Sequence, residues 1–459
     1  MLEKLEFNRE RFGQRIPYIG GQPVEGISLE MIHDPKESTT GFAVWDCQGA
    51  KYMDRFPIDG NRFLVPYSSR NNLIAHRVVL FPSKAQEYGS EENLIEEIQI
   101  FIHRYVDVSP IFEKIAVYYI LLTWVYDSFN ELPYLRLRGD FGTGKTRFLL
   151  IAGSLCFRPI FASGASSVSP LFRILNAFRG TLIIDEGDFR MSDEKAEIIK
   201  ILNNGNARGF PVLRSEIAGN RKEFNPTAFD VFGPKLVATR GFFQDRALES
   251  RFITEEMGRA NLRKDIPINL PPEMNEEALE IRNKLLMFRF RNLGGQKPDS
   301  DLIDQSIEPR LNQVFVPLLS LIRDEATRNE IREIARQHSR EIVADRGMDP
   351  EAEVLEIISE MLDSSDREIS IKNIASRFAE KHGEDFVRKI TPHWIGRIVR
   401  KKLSIRTQKQ RDGYLIDISE KPKLERLFQR YGITCSGELG ELVNFQTKGM
   451  EQNMSEKPS

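Results

Sequence analysis

The spacing of apolar residues changes several times along this chain of 459 residues. Up to about residue 85, turn residues separate short alternating segments such as TGFAVWD and RFLVPY, a pattern that predicts strands. From about 90 to 130 the apolar residues recur at helical intervals, as Ile95, Ile98 and Ile102 do. The pattern therefore predicts a small β-containing N-terminal region over 1–85 and a helical segment over 86–130.

Short apolar runs alternate with helical segments in the middle of the chain. The runs that predict strands are PYLRLR, PIFASG, TLIIDE and KLVATR. Strands that alternate with helices predict a parallel sheet, so the fold class is α/β with a core over 131–265. Residues 266–345 are charged and helical in pattern, residues 350–420 form a further unit, and 421–459 are expected to be a polar tail.

The unit at 350–420 predicts helices followed by a two-stranded ribbon with a turn at Asp412 and Gly413, which is the winged-helix form of a helix-turn-helix. Thr391 is a favourable N-cap and Pro392 a favourable first helical residue. No acidic residue interrupts 391–411, a run typical of phosphate-binding elements. Its candidate DNA-binding cations are Arg397, Arg400, Lys401, Lys402, Arg406, Lys409 and Arg411. The alternative is a protein-docking winged helix with a solvated basic face.

Charge and cysteine content narrow the possible partners. The chain has 65 basic and 67 acidic residues, so any nucleic-acid site must be a local basic patch. The three cysteines are far apart, which argues against a disulfide framework or a zinc module. The apolar run 115–129 is interrupted by Asp127 and is shorter than the roughly 20 residues of a membrane span. We expect a soluble, cytoplasmic protein with no membrane partner.

The segment GDFGTGKT has the spacing of a phosphate-binding P-loop and stands between a predicted strand and a predicted helix. In such a loop Lys145 would reach the β and γ phosphates of ATP, and the Thr146 hydroxyl would hold Mg²⁺. The candidate ATP-binding residues are Gly139, Asp140, Phe141, Gly142, Thr143, Gly144, Lys145 and Thr146. The alternative is a chance match in a glycine-rich turn.

A second motif, TLIIDEGD, places two carboxylates at the end of an apolar strand, as in a Walker B motif. Asp185 would bind the Mg²⁺ ion, and Glu186 would act as the general base that activates water. The alternative is a surface acidic turn. Together with the P-loop, the motif predicts an ATP hydrolase.

Residues that follow these motifs resemble those of AAA+ ATPases, over roughly 130–340. KLVATR resembles the sensor-1 strand, with Thr239 as its polar residue, although many AAA+ helicases have asparagine there. QDRALESRFI resembles the arginine-finger segment, with Arg251 as the catalytic candidate and Arg246 as the second. Arg310 would be the sensor-2 arginine of a helical lid. The resemblance implies ATP bound between the subunits of a ring, expected to be a hexamer.

The segment 201–224 lies between the Walker B motif and the sensor-1 strand. Its candidate DNA-binding cations are Arg208, Arg214, Arg221 and Lys222. AAA+ helicases of the minichromosome-maintenance and viral types place a DNA-gripping hairpin in this interval, and the sequence around AGNR is compatible with such a hairpin. The alternative is a solvated loop that shapes a subunit interface.

These parts together resemble the helicases and replication initiators of plasmids, phages and mobile elements. The resemblance implies a Mg²⁺- and ATP-dependent DNA helicase or translocase, or a replication initiator, with single-stranded DNA in its pore and duplex at its winged helix. One alternative is a switch in which ATP controls assembly on DNA without unwinding. The other is a protein-remodelling ATPase, which ranks last because the segment ASGASSVSPLFRI before Walker B has only Phe172 as an aromatic pore residue.

Overall fold

In the computed structural model the chain divides into two compact units, Met1–Ala335 and Arg336–Ser459. The residues described are 14–163, 168–185, 193–215, 226–243, 245–258, 263–347, 349–363, 369–382, 390–410 and 413–433. Within these ranges, no helix combines the length and the apolar character needed to cross a bilayer. The predicted domain boundaries are finer than this division, which falls inside a long helix.

Seven strands form two sheets in the described part of the N-terminal region. They are β1 (Gln14–Pro17), β2 (Gly20–Val24), β3 (Ile27–Asp34), β4 (Thr39–Trp45), β5 (Ala50–Met53), β6 (Phe56–Pro57) and β7 (Arg62–Val65). Strands β2 to β5 form an antiparallel sheet in chain order, and β1 pairs in parallel with β7, which pairs with β6. Alternation buries Ile27, Leu29 and Met31 of β3 on one face.

Three helices connect this region to the central sheet: α1 (Asn72–Ala75), α2 (Glu91–Tyr105) and α3 (Pro110–Trp124). The Ser109 hydroxyl caps α3 and Pro110 occupies its first turn. Nearly all of α3 is buried, in agreement with its continuous apolar sequence. Helix α3 ends at Trp124, and residues Tyr126–Ser128 form a 3₁₀ turn.

A five-stranded parallel sheet with helices forms the centre of the first unit and confirms the α/β class. Its elements are β8 (Tyr134–Arg138), α4 (Lys145–Leu155), β9 (Ile160–Ser163), α5 (Val168–Phe178), β10 (Leu182–Asp185), α6 (Asp193–Asn204), β11 (Val212–Arg214), β12 (Thr227–Phe229), β13 (Lys235–Thr239), α7 (Arg246–Glu249) and β14 (Phe252–Glu256). The strand order is β14-β8-β13-β10-β9, and β11 pairs with β12 in a separate antiparallel ribbon. Strand β13 therefore separates the P-loop strand β8 from the Walker B strand β10.

Three more helices complete the first unit and lead into the second: α8 (Met274–Asn292), α9 (Pro309–Leu319) and α10 (Glu325–Gly347). A buried charge cluster fastens α8 to the rest of the unit. Arg289 donates to Glu30 of β3 at 2.8 Å and to Asp127 at 2.6 Å, and Arg158 also donates to Glu30. Burial by itself raises the pKa of Asp127, but Arg289 turns the net shift downwards, so the carboxylate is charged.

The second unit has its own apolar core. Its elements are α11 (Pro350–Asp363), α12 (Ile371–His382), α13 (Pro392–Arg397) continued by a π turn (Ile398–Lys402), β15 (Thr407–Gln410), β16 (Gly413–Ile416) and α14 (Lys421–Tyr431). The Thr391 hydroxyl caps α13 as predicted. The predicted tail begins too early, because α14 buries Leu424, Leu427 and Phe428 in this core. Their helical spacing explains why residues 421–431 fold.

Candidate nucleotide-binding site

The P-loop connects β8 to α4 at the carboxyl-terminal edge of the parallel sheet. Gly142 and Gly144 have φ angles of 79° and 93°, the left-handed region that favours glycine. Gly144 is the N-cap of α4 and supplies no side-chain acceptor for the first amides of the helix. These amides and the positive end of the helix dipole are suited to a phosphate group. The predicted residues Gly139 to Thr146 therefore lie together, in the loop and in the first turn of α4.

The Lys145 ammonium lies inside this loop. It donates hydrogen bonds to the carbonyl oxygens of Gly139 and Asp140, both at 2.6 Å. The Thr143 hydroxyl donates to the same Asp140 carbonyl at 2.9 Å. Phe141, in contrast, points into solvent and is one of the most exposed apolar side chains of the unit. The positive charge thus stands where the loop would enclose phosphate.

Thr146 and Asp185 come together although 38 residues separate them in the chain. The Thr146 Oγ1 donates to the Asp185 Oδ2 at 2.8 Å. A hydroxyl and a carboxylate are hard oxygen donors of the kind that Mg²⁺ prefers, so the two side chains fit the metal predicted for them. Glu186, the predicted general base, lies outside the described residues.

The carboxyl-terminal end of β13 contacts the start of the P-loop. The Gly139 amide donates to the Thr239 carbonyl at 3.2 Å, since β8 and β13 are neighbours in the sheet. The Thr239 hydroxyl is buried and donates to the Gly241 carbonyl at 3.0 Å. The structure thus places the predicted sensor residue beside the loop. Its hydroxyl is hydrogen-bonded to the backbone that directly follows β13.

The predicted arginine-finger segment is held in place by a buried ion pair, which was not among the sequence predictions. Arg136 of β8 binds Glu249 of α7 through two hydrogen bonds of 2.8 and 2.5 Å. The Arg136 Nε donates to the Thr254 hydroxyl at 3.0 Å, and its guanidinium lies 5.0 Å from the centre of the Phe252 ring. The position of Arg136 within the apolar strand PYLRLR could have indicated this ion pair, because a cation in a buried strand requires a partner.

Arg251 is half-buried against the carboxyl-terminal end of α6. Its Nη1 donates to the Asn203 side chain and, at 3.5 Å, to the Leu202 carbonyl, while its Nε is buried without an acceptor among the described residues. Burial lowers the pKa of Arg251, and the nearby charge of Arg310 lowers it further. The charge of Arg310 thus acts on Arg251, whereas the role of either in catalysis stays a prediction. Arg246 begins α7.

The predicted pore cations in the described part of 201–224 are bound within the chain. Arg208 donates to the Phe129 and Asp127 carbonyls at 3.0 and 2.8 Å. Arg214 pairs with Glu197 of α6. The segment contains β11, which pairs antiparallel with β12 just after it, but the connection between the two strands, with Arg221 and Lys222, lies outside the described residues.

The basic residues of the second unit are mostly exposed. Lys402 and Arg406 have 69% and 84% of their side-chain surface exposed and approach acids only at 3.5 and 3.7 Å. The Arg400 guanidinium lies 4.8 Å from the centre of the Tyr414 ring. Arg397, Lys401 and Lys409 are exposed, and Arg411 lies outside the described residues.

Comparisons with known proteins find slight structural likenesses. No family model matches the chain, and no curated protein matches it. The C-terminal region of NrS-1 is 12% identical, with a TM-score of 0.36 over 85% of this chain and 95% of that one. A JCV helicase structure is 16% identical, with a TM-score of 0.22 over 54% and 66%. The Aeropyrum pernix ORC1 protein, in complex with DNA, is 18% identical, with a TM-score of 0.21 over 70% and 94%. Likenesses this slight carry no argument about this chain.

Proposed function

We propose that this protein hydrolyses ATP with Mg²⁺ and uses the reaction to act on DNA, as a helicase, translocase or replication initiator. The observation that carries the proposal is the contact of 2.8 Å between Thr146 and Asp185, beside the Lys145 ammonium at a helix N-terminus. A glycine-rich loop at a helix N-terminus, a cation and two hard oxygen donors thus converge at one edge of the sheet. This arrangement suits a Mg²⁺–nucleoside triphosphate.

Each group at this edge has a distinct part in the proposed reaction. The α4 amides and Lys145 would bind the β and γ phosphates, and Thr146 and Asp185 would hold Mg²⁺, which neutralises the charge that develops on the phosphates. Glu186 would orient and deprotonate the attacking water. The proposal also includes Thr239 as the sensor, helices α8 to α10 as the lid, and Arg251 as the finger offered to a neighbouring subunit of a hexameric ring.

The second unit supports DNA as the partner. Its helices and two-stranded ribbon are compatible with a winged helix, and its exposed cations follow α13 and β15 without an intervening acid. Such a surface binds phosphates without reading the base sequence. In the proposed working form, this unit holds duplex DNA while single-stranded DNA passes through the ring.

A second function is an ATP-controlled switch that assembles on DNA without unwinding it. The contacts of Arg208 and Arg214 favour this alternative, because these two of the four predicted pore cations lie among the described residues and are bound within the chain. The exposed cations of the second unit would still anchor such a switch on DNA. A partner protein would then separate the strands.

Steady-state ATP hydrolysis and strand displacement separate these functions. For a helicase we expect that oligo(dT) stimulates hydrolysis and that ATP drives release of a labelled strand from a forked duplex. Lys145→Ala should abolish hydrolysis, whereas Glu186→Gln should abolish hydrolysis and retain ATP binding. ATP-dependent assembly on DNA without strand release would favour the switch. Hydrolysis that persists in Lys145→Ala would refute the proposed site.

A further inference from the structure

A groove with a volume of about 380 Å³ lies between α2 and α8 on the surface of the first unit. Arg104, near the end of α2, binds Glu277, near the start of α8, at 2.8 Å. A second ion pair joins Glu97 of α2 to Lys284 of α8 at 2.6 Å. The two helices therefore run antiparallel along the groove, and the two ion pairs connect its walls.

The groove combines an apolar floor with an exposed apolar side chain. Phe101 of α2 and Ile281 of α8 line it and have only 2% and 3% of their surface exposed, so they form its floor. Ile100 also lines it and has 50% of its surface exposed, more than any other apolar side chain of α2. An apolar side chain of a second molecule that packed against Ile100 would remove both side chains from water.

Carboxylates outnumber cations in the lining of the groove. The lining carboxylates are Glu96, Glu97, Glu277 and Glu280. Arg104 and Lys284 neutralise two of them through the ion pairs between the helices. The other two, Glu96 on α2 and Glu280 on α8, are exposed, and within the described part of the chain neither forms a hydrogen bond or an ion pair. Each wall of the groove therefore carries one negative charge that is not neutralised there.

The charge and shape of the groove exclude several classes of ligand. Carboxylates repel nucleic acids and anionic membrane surfaces. Within the described ranges, no group of acidic, histidine or cysteine side chains could hold a metal ion. The groove is open to solvent, whereas a small-molecule site encloses most of its ligand. Two further cations contact the amino-terminal turns of these helices, but Arg323 binds Glu91 and Arg77 binds Asn275, neither of which lines the groove.

We propose that this groove binds a cationic amphipathic helix of a partner protein. The apolar stripe of such a helix packs against Ile100, and lysine or arginine side chains beside the stripe pair with Glu96 and Glu280. Charge complementarity selects the cationic partner and sets its register between the two walls. The inference goes beyond the proposed function and does not depend on it, because the groove is formed by α2 and α8 and not by the P-loop.

The probe is a fluorescein-labelled peptide of leucine and lysine at amphipathic helical spacing, about 16 residues long so that it can form a helix. Its binding to the full chain is measured by fluorescence anisotropy. We expect Glu96→Lys combined with Glu280→Lys to weaken binding at least about tenfold, because like charges then face each other. A second peptide, with glutamate in place of every lysine, should bind this groove variant more tightly than it binds the wild type.

Matched variants separate the groove from the net charge of the chain. Glu25→Lys combined with Glu37→Lys changes the net charge equally, on exposed turns of the N-terminal region, and should change binding of the lysine peptide less than about twofold. Ile100→Ala should weaken binding about fivefold, because it removes the apolar contact. Ile303→Ala, which truncates a side chain with 47% of its surface exposed, should leave binding unchanged.

Three results would overturn the inference. Equal binding of the lysine peptide by the wild type and the groove variant would show that the groove is not its site. An equal loss of binding in the variant of Glu25 and Glu37 would show that the peptide responds only to net charge. Self-association of the wild type that the groove variant abolishes, measured by analytical ultracentrifugation, would assign the groove to a second copy of this chain.

Discussion

Breaking the buried pair between Arg136 and Glu249 should both destabilise the first unit and impair hydrolysis. Arg136 has only 3% of its side-chain surface exposed and Glu249 only 19%. Arg136→Met would remove two hydrogen bonds to Glu249 and one to Thr254, and would leave a carboxylate without its cation. Removal of one partner of a buried pair costs about 3–5 kcal/mol of folding free energy.

The functional consequence follows from the location of Glu249. It belongs to α7, and the Arg251 carbonyl that follows α7 accepts a hydrogen bond from the Tyr134 amide. Loss of the pair should displace the segment that carries the predicted finger and leave the P-loop intact. We therefore expect hydrolysis to fall at least tenfold while ATP binding is retained.

Urea unfolding followed by tryptophan fluorescence measures the stability change. In a Trp394→Phe background the remaining tryptophans, Trp45 and Trp124, report on the first unit alone. A double-mutant cycle with Glu249→Gln should show that the combined cost is about 2 kcal/mol less than the sum of the single costs. Additive costs, or a cost below about 1 kcal/mol for Arg136→Met, would refute this reasoning.

Three further predictions concern a buried lysine, the metal site and the basic surface. Burial lowers the pKa of Lys235 to about 7, so between this pH and the ordinary lysine pKa of about 10.4 the unfolded chain binds up to one more proton than the folded chain. The free energy of unfolding of the wild-type chain, relative to that of Lys235→Met, should therefore rise by about 1 kcal/mol per pH unit between pH 7 and 9. Urea midpoints of the two proteins that change in parallel with pH would contradict this. Asp185→Asn should weaken ATP binding in Mg²⁺ but not in EDTA, as measured with a fluorescent ATP analogue; equal weakening in both would show that Asp185 does not act through the metal. Arg397→Ala and Lys401→Ala should each reduce by about one unit the slope of the logarithm of the DNA-binding constant against the logarithm of the salt concentration. Replacement of the exposed Lys36 by alanine should leave this slope unchanged. An unchanged slope in the first two variants would show that these cations do not contact DNA.

Motifs whose chemistry is local could be predicted from the sequence. A strand, a glycine-rich loop and a helix fix the P-loop, because left-handed glycines and a helix N-terminus are properties of consecutive residues. The apolar strand before Asp185 likewise predicted a buried parallel strand. Thr391 and Pro392 predicted the start of α13, since a helix cap depends only on its neighbours.

Contacts between distant segments could not be predicted in the same way. The sequence showed Arg136 and Asp127 as charges within apolar runs but not that Glu249 and Arg289 neutralise them. The packing of strands and helices determines which residue neutralises a buried charge, and the local sequence pattern does not show which residue that is.

The division between sequence and tertiary structure is clearest in segment 201–224. The sequence determined the residue types and a surplus of cations, and it was compatible with a hairpin. Only the tertiary structure decided that Arg214 turns inward to Glu197 and that Phe210 and Leu213 face solvent. Side chains alternate along a strand, so the face that packs against α5 and α6 determines which residues remain for a ligand. That choice depends on helices that precede the ribbon in the chain, and composition alone cannot reveal it.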